Sequence, residues 1–312
     1  MKKQISYVVL ATLSVGLFFS SCKKTENPAT VDNTTEIEQQ ADDHARFASE
    51  TDASTNDANV AIENIGGSYA GDNPLTPQLP FTCDATIAVD TASTPRKITI
   101  TYNGSNCIGN RARAGVVIIS FDADFRWVKP NATYNITYQN LKITRKSDNK
   151  AITINGTKTL TNLSGGRLRN LATRLNPIVH QVTSASMNVT FNNGTQRNWQ
   201  IAKRHTFTYN NGIVISTTGI SNLGGGISEW GANRNNNNFT SAILEPLVIK
   251  QSCDFRLFSG TVKHTVSNIN TTIMYGLDAS GNPVSTCPGG PFYYKVTWTG
   301  PNGNAYSHIA TY

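Results

Sequence analysis

Residues 97–102 read Lys-Ile-Thr-Ile-Thr-Tyr, so large apolar residues alternate with lysine and threonine. Strict alternation with period two is typical of a β-strand that buries one face and solvates the other. The same alternation recurs in Tyr134–Tyr138 and in Met187–Phe191. The pattern therefore predicts a mainly β protein.

Turn signals separate these strands at hairpin spacing. The dipeptide Asn-Gly, which supplies positive-φ residues to a tight turn, occurs five times in the chain. The clearest hairpin spans residues 208–217, with Asn211-Gly212 at its turn. We expect roughly a dozen or more antiparallel strands. They form an antiparallel sheet or sandwich, and a curved open sheet or a barrel would fit the same pattern.

Two segments of the body interrupt the alternation. Residues 163–184 contain Gly165-Gly166 and several arginines, and residues 218–238 contain three consecutive glycines followed by an asparagine run. Both are predicted as long loops, which in compact domains are often functional. Residues 75–312 form the β body, and a break between two subdomains near 163–184 is an alternative to one continuous domain.

The first 22 residues resemble the export signal of a bacterial lipoprotein. A basic start is followed by the apolar run Val8–Phe19, which is shorter than the roughly 20 residues that span a bilayer. Small residues then precede Cys22, as in a lipobox. The resemblance implies that residues 1–21 are removed and that Cys22 carries a diacylglycerol thioether and an amide-linked acyl chain such as palmitate. An ordinary secreted protein is the alternative.

Charge divides the chain into an acidic and a basic part. Residues 23–74 contain eleven acidic and three basic residues, a net charge of −8, whereas residues 75–312 carry a net charge of +13. Residues 22–74 are therefore predicted to be a lipidated acidic tether, flexible at its start. A weak apolar stripe within residues 36–64 predicts one or two short helices, although Thr51–Asp57 is poor in helix formers. We further expect the acidic tether to fold back on the basic body.

Four cysteines follow Cys22: Cys83, Cys107, Cys253 and Cys287. An even number in an exported chain predicts two disulfides. Among the three possible pairings, Cys83–Cys107 and Cys253–Cys287 close the most local loops and are preferred here. A four-cysteine metal site is disfavoured because no Cys-x-x-Cys spacing occurs, and no cofactor or metal is expected.

Several of these features together resemble a group of β-rich lipoproteins from Bacteroidota. The resemblance begins with Cys22 and the acidic stretch from Ala41 to Ile65. It continues with residues 98–107, followed by Gly109, Arg111, Arg113 and residues 115–119. It ends with Cys253 and Cys287, which have Ser259-Gly260 between them. It implies residence in the outer membrane of a diderm bacterium, on either its periplasmic or its cell-surface side. It implies no catalytic residues.

No catalytic motif stands out. The chain has neither a Gly-x-Ser-x-Gly elbow nor a His-x-x-x-His pair, and its five histidines are dispersed. A glycosidase would need two carboxylates in one cleft. The candidates in the body are Glu229 paired with Asp122 or Asp124. A carbohydrate-active enzyme that uses these carboxylates is the alternative to a non-enzymatic protein.

The basic excess suggests anion binding. Arg167, Arg169 and Arg174 cluster in the first predicted loop, and guanidinium groups suit phosphate and carboxylate. Trp230 lies in the second predicted loop and is the best candidate for an exposed aromatic, because the other three tryptophans are expected in the core. These four residues are the candidate ligand contacts.

The sequence thus favours a non-enzymatic, outer-membrane-anchored β lipoprotein that binds an envelope ligand or supports the envelope. The membrane is one partner, through the N-terminal lipid. The other candidate partners are an acidic glycan, lipopolysaccharide or another envelope protein. Nucleic acid is not expected, because the chain is exported and contains no recognisable nucleic-acid-binding module.

Overall fold

The computed structural model describes residues 34–65, 83–106, 109–253, 255–266, 269–300 and 303–312. The predicted signal peptide, Cys22 and the first part of the tether lie outside the described residues, as do residues 66–82.

The described part of the chain has one α-helix, fourteen β-strands and two short 3₁₀ turns. Their bounds are α1 Thr34–Ile65, β1 Ala85–Asp90, β2 Arg96–Ser105, β3 Arg111–Phe121, β4 Ala132–Arg145, β5 Ala151–Asn162, a 3₁₀ turn Leu168–Thr173, β6 Ile178–Phe191, β7 Gln196–Tyr209, β8 Ile213–Gly219, β9 Ile227–Ala232, β10 Asn238–Lys250, a 3₁₀ turn Gln251–Cys253, β11 Arg256–Val266, β12 Ile269–Leu277, β13 Tyr293–Thr299 and β14 Ala305–Thr311. The predicted mainly β fold is confirmed.

The strands form a single antiparallel sheet in nearly sequential order. Each strand pairs with the next along the chain, except in the middle, where β8 and β9 share one position between β7 and β10. β8 pairs with the second half of β7 and β9 with its first half. The sheet is continuous across residues 163–184, because β5 pairs directly with β6 over most of their lengths.

The N-terminal segment forms one 32-residue helix rather than the one or two short helices expected. Its polar middle holds together partly because hydroxyl groups bond back to helix carbonyls. Thr51 Oγ1 donates to the carbonyl of Phe47 at 2.9 Å, and Thr55 Oγ1 donates to that of Thr51 at 2.7 Å. Tertiary contacts supply the rest, since almost every described side chain of α1 is buried or half-buried, and only Gln39 and Ala53 are exposed.

The sheet curves around α1. At one level of the helix, Asp42 contacts Arg145 on β4, while the adjacent Asp43 contacts Arg234, which follows β9. These strands stand four interstrand steps apart in the sheet, roughly 19 Å if it were flat. A helix with its side chains is only about 10–12 Å across. The sheet must therefore bend so that its inner face contacts α1 on more than one side.

The core lies between this inner face and the helix. One large apolar cluster joins Phe47 and Ile62 of α1 to inward residues of strands β2 to β7, β10 and β11, and a second joins Ile37 and Ala41 to strands β10 to β13. Trp127, Trp199 and Trp298 are buried, as predicted.

Both predicted long loops contain regular structure. Residues 178–184 belong to β6, and residues 227–232 form β9. These segments were misread because a glycine cluster is a turn signal only for the residues that take positive φ, here Gly165, Gly166 and Gly224–Gly226. The hairpin at Asn211-Gly212 is confirmed, with positive φ at both residues, whereas Asn103-Gly104 lies inside β2.

None of the helices in the described residues combines the length and apolarity that crossing a bilayer requires.

Candidate functional site

A buried charge cluster lies where the middle of α1 meets β7 and β9. Lys203 on β7 places its Nζ 2.8 Å from Glu229 Oε1 on β9 and 3.7 Å from Asp52 Oδ1 on the helix. Lys203 and Glu229 are both almost fully buried. Burial alone would raise the pKa of Glu229, but Lys203 and then His44 outweigh it and lower that pKa well below its ordinary value. The pair is therefore ionised, and each charge neutralises the other.

Next to this pair, His44 of α1 meets Ser241 and His264. His44 Nδ1 lies 3.4 Å from Glu229 Oε2 and also 3.4 Å from Ser241 Oγ. A catalytic triad needs the carboxylate and the nucleophile on opposite ring nitrogens. Here both face the same nitrogen, and Ser241 has no exposed surface. The arrangement positions the helix and is not that of a serine hydrolase.

Arg197 on β7 is held between two aromatic rings. Its guanidinium carbon lies 3.9 Å from the centre of the Trp199 ring and 4.0 Å from that of Phe239. Burial lowers its pKa to about 10, against the attraction of Glu229 and Asp43. The group is still charged near neutral pH, and desolvated cation–π contacts of this kind are worth up to about 2 kcal/mol each.

The second half of α1 is anchored on Arg113 of β3. The Arg113 guanidinium donates to Asp84 at 2.6 Å and 2.7 Å and to Asp57 of the helix at 2.8 Å. Burial opposes its charge, but the hydrogen bonds to Asp84 and the charge of Asp57 prevail and raise the pKa of Arg113. Tyr102 donates its hydroxyl to the same Asp57 at 2.8 Å.

Other acids of α1 also meet arginines of the sheet. These ion pairs are Asp42 with Arg145, Asp43 with Arg234, and Glu50 with Arg111. α1, the described part of the acidic segment, therefore lies on the basic body, as its charge predicted. Five basic residues of the body, Arg111, Arg113, Arg145, Lys203 and Arg234, are thus paired with acids of the helix.

Two groups at this interface have pKa values near neutral. Burial lowers the pKa of Lys158 on β5 to about 7, although Asp52 attracts its charge. Its Nζ donates to the Thr51 carbonyl at 3.3 Å. Burial likewise raises the pKa of Glu63, near the end of α1, to about 7. Its Oε1 accepts a hydrogen bond from the Leu168 backbone at 3.0 Å.

Two buried histidines face each other across β6 and β7. His180 pairs with His205 in the strand register. Burial, reinforced by His205, lowers the pKa of His180 to about 3, and neither of its ring nitrogens has a hydrogen-bond partner among the described residues. Burial lowers the pKa of His205 to about 4, and its Nδ1 lies 2.9 Å from Thr217 Oγ1. Both rings are therefore neutral in the folded protein near pH 7.

The three arginines of the predicted anion site do not share one environment. Arg167 is almost fully buried rather than exposed, because the chain turns inward there to enter the 3₁₀ turn that packs Leu168 and Leu171 into an apolar cluster. Arg169 and Arg174 are exposed. The exposed basic cluster is therefore smaller than the sequence suggested.

Trp230 lies in strand β9, not in a loop, and is partly exposed. Its neighbour Glu229 is buried against the helix side of the sheet. Because successive residues of a strand point to opposite faces, Trp230 belongs to the outer face. Its cross-strand neighbours are Gln200 on β7 and Thr240 on β10.

The candidate carboxylate pair is not brought into one cleft. Asp122 and Asp124 are exposed in the turn between β3 and β4, while Glu229 is buried and paired with Lys203. An exposed turn and a buried ion pair cannot hold one glycosidic bond between them.

The disulfide Cys253–Cys287 is confirmed. Cys83 is also disulfide-bonded, and its predicted partner Cys107 lies outside the described residues. Within the described ranges, no group of three or more histidine, cysteine or acidic side chains is placed to hold a metal ion.

Sequence reasoning missed the inward role of Lys203 and Arg197. A signal was present, because both residues occupy odd-numbered positions of β7, as do Trp199, Ile201 and Phe207, and therefore share the apolar face. Charged residues on such a face predict buried partners.

Comparison with known proteins adds no assignment: no family model matches the chain, and no match was found among curated proteins or among solved structures.

Proposed function

We propose that this chain is a non-enzymatic lipoprotein, anchored in the outer membrane through Cys22, whose β body binds an envelope component or supports the envelope. The observation that carries the proposal is the packing of α1 against the inner face of the sheet. The helix begins at Thr34, twelve residues after the cysteine of the lipobox-like sequence. A lipid on Cys22 would therefore tether the whole folded body to the membrane, because α1 and the sheet form one compact unit.

The length of the link limits where the body can be. Twelve residues in full extension span at most about 40 Å. The body would thus stay within about one domain diameter of the bilayer. That location suits a protein that acts on the membrane or on material next to it, and two or three acyl chains provide stable anchoring.

The non-enzymatic part of the proposal is supported by how the titratable groups are used. Lys203 and His44 both contact Glu229 in a buried cluster, and Arg113 is paired with Asp57 and Asp84. Groups that neutralise one another away from solvent stabilise a fold, whereas catalytic groups must reach a substrate.

The test is metabolic labelling of the full chain with a palmitate analogue, together with membrane fractionation. The wild-type chain should take up label and sediment with the outer membrane. Cys22→Ala should lose both properties, yet unfold at the wild-type urea midpoint, because the described contacts of α1 begin at Ile37. Label retained by Cys22→Ala would contradict the proposal.

The side of the membrane is decided by adding proteinase to intact and to lysed cells. Degradation of the body in intact cells would place it on the cell surface. Protection until lysis would place it in the periplasm and favour envelope maintenance.

A further inference from the structure

One row of side chains crosses the outer face of the sheet without any charge. Strand register aligns Gln200, Trp230, Thr240, Thr265 and Asn270 on five neighbouring strands, β7, β9, β10, β11 and β12. All five are partly or fully exposed. Four interstrand steps of about 4.8 Å make the row about 19 Å long.

The row lies opposite the charged inner face. The residues that alternate with it point inward and are buried, among them Glu229, Ser241 and His264. The outer row therefore contacts neither α1 nor its ion pairs, and its side chains are available to a ligand.

The polar members of the row are pre-ordered. Thr265 Oγ1 donates to Asn270 Oδ1 at 2.8 Å. In the neighbouring row, the Asn188 amide donates to Asn198 Oδ1 at 2.7 Å. Hydroxyl and amide groups both donate and accept hydrogen bonds, which matches the hydroxyl groups of a sugar.

Trp230 adds a flat apolar surface to this polar row. Among the described residues no aromatic ring or cation packs against its indole, whereas Trp127, Trp199 and Trp298 each pack against another ring. An indole face attracts the weakly positive C–H groups of a sugar ring, and partial exposure leaves it open to stacking. The interstrand spacing is close to the length of one sugar unit.

Charge selects between acidic and neutral glycans. No basic residue belongs to the row, and three of the body's cations that could attract an acidic polymer, Arg113, Lys203 and Arg167, are paired with α1 or buried. A protein partner would be expected to meet more aromatic and arginine anchors than one indole among four neutral polar groups.

We propose that this row binds a neutral polysaccharide that lies across the strands and stacks on Trp230. This inference deepens the proposed function by naming the class of ligand, and it rests on that function only for its cellular setting. The sugar chain would stack on the indole, and Gln200 and Thr240 would hydrogen-bond its hydroxyl groups from either side.

The test uses the full chain, solubilised in detergent, and measures its retardation in native gels that contain dextran, amylopectin, yeast mannan or xyloglucan. Polygalacturonate serves as the acidic counterpart. The wild-type chain should be retarded by at least one neutral polymer, with little change up to about 0.5 M salt, because screening does not weaken neutral contacts. Trp230→Ala should weaken binding by about tenfold or more.

Matched variants separate binding from folding. Tyr209→Ala removes another exposed aromatic, at the end of β7 and outside the row, and should bind as the wild type does. Gln200→Leu and Thr240→Val keep the indole and each remove one polar group, so they test the row even if Trp230→Ala unfolds. Both should weaken binding several-fold.

Three results would overturn the inference: no retardation of the wild-type chain by any neutral polymer, wild-type binding by a folded Trp230→Ala chain, or salt-sensitive retardation by polygalacturonate alone. Any of these, combined with normal lipid labelling at Cys22, would remove the ligand class and leave the proposed function standing. Conversely, if the wild-type chain took up no palmitate label but bound a neutral polymer, only the lipid anchor would be refuted.

Discussion

The two faces of the sheet use polar residues in opposite ways. Along β7, Arg197, Lys203 and His205 point inward and are buried, while Asn198 and Gln200 point outward. Two of the three charged residues of this strand, Arg197 and Lys203, are thus buried and only Arg204 is exposed, the reverse of the usual distribution. A polar residue in a strand therefore does not by itself mark the solvent face.

The difference arises from the helix. A buried charge is costly unless it has a partner of opposite sign. α1 brings acidic side chains to the inner face, and five of them meet a cation of the β body, as Asp52 meets Lys203 and Asp57 meets Arg113. The outer face has no such partner element among the described residues, and there neutral side chains hydrogen-bond to one another across strands, as Thr137 does to Thr157.

The strongest test of this contrast replaces a buried cation. Lys203→Met leaves Glu229 and Asp52 without their cation, and we expect the free energy of unfolding to fall by about 3–5 kcal/mol. Urea unfolding followed by fluorescence and by circular dichroism measures the change. Lys263→Met, a partly exposed lysine on the outer face of β11, is the control and should change stability by less than about 0.5 kcal/mol. Equal effects of the two substitutions would mean that the inner pair is solvated like a surface pair.

A second test uses pH. His180 and His205 have pKa values of about 3 and about 4 in the fold, against about 6.5 in an unfolded chain. Between pH 6.5 and 4, the unfolded state binds protons that the folded state does not, so acid destabilises the fold. Each histidine contributes about 1.4 kcal/mol per pH unit. Glu63, with its pKa raised to about 7, has the opposite effect on the free energy of unfolding, which it increases as the pH falls from about 7 to 4.5.

His180→Phe should therefore reduce the slope of stability against pH by about 1.4 kcal/mol per unit between pH 6 and 4. The phenylalanine ring would lie between Trp127 and Phe207, which already flank the imidazole. Urea titrations at several pH values measure the slope. Thr297→Val, which removes no titratable group from strand β13, should leave the wild-type slope. An unchanged slope for His180→Phe would show that His180 takes up its proton in the fold.

The smallest expected effect lies at the rim of the inner face. Arg145 pairs with Asp42 and Asp148, and all three side chains are about a third exposed. Because solvent screens such pairs, Arg145→Met should cost only about 0.5–1 kcal/mol, and less at high salt. Thr137→Val on the outer face should stay within about 0.5 kcal/mol at any salt concentration. If Arg145→Met lowered the free energy of unfolding as much as Lys203→Met does, Arg145 would belong to the buried inner face and not to its solvent-screened rim.

Much of the fold was predictable because its signals are local. Period-two alternation located strands such as Arg96–Ser105, and the Asn211-Gly212 turn was read from two residues. The sequence predicts a shorter helix than the structure has, because Thr51–Asp57 has low intrinsic helix propensity. In the structure this stretch is held in the helix by hydroxyl groups that bond to helix carbonyls and by the surrounding sheet. The candidate ligand residues fared unevenly: Arg167 is buried, and Trp230 lies on a strand.

The sequence by itself determined the fold class and the opposite charges of the helix and the body, because periodicity and composition are properties of neighbouring residues. Only the tertiary structure decided which cation meets which acid and which side chains align in a row across strands. Those relations depend on strand register and on the curvature of the sheet around α1. Both are set by the packing of residues far apart in the chain, such as Phe47 against Trp199.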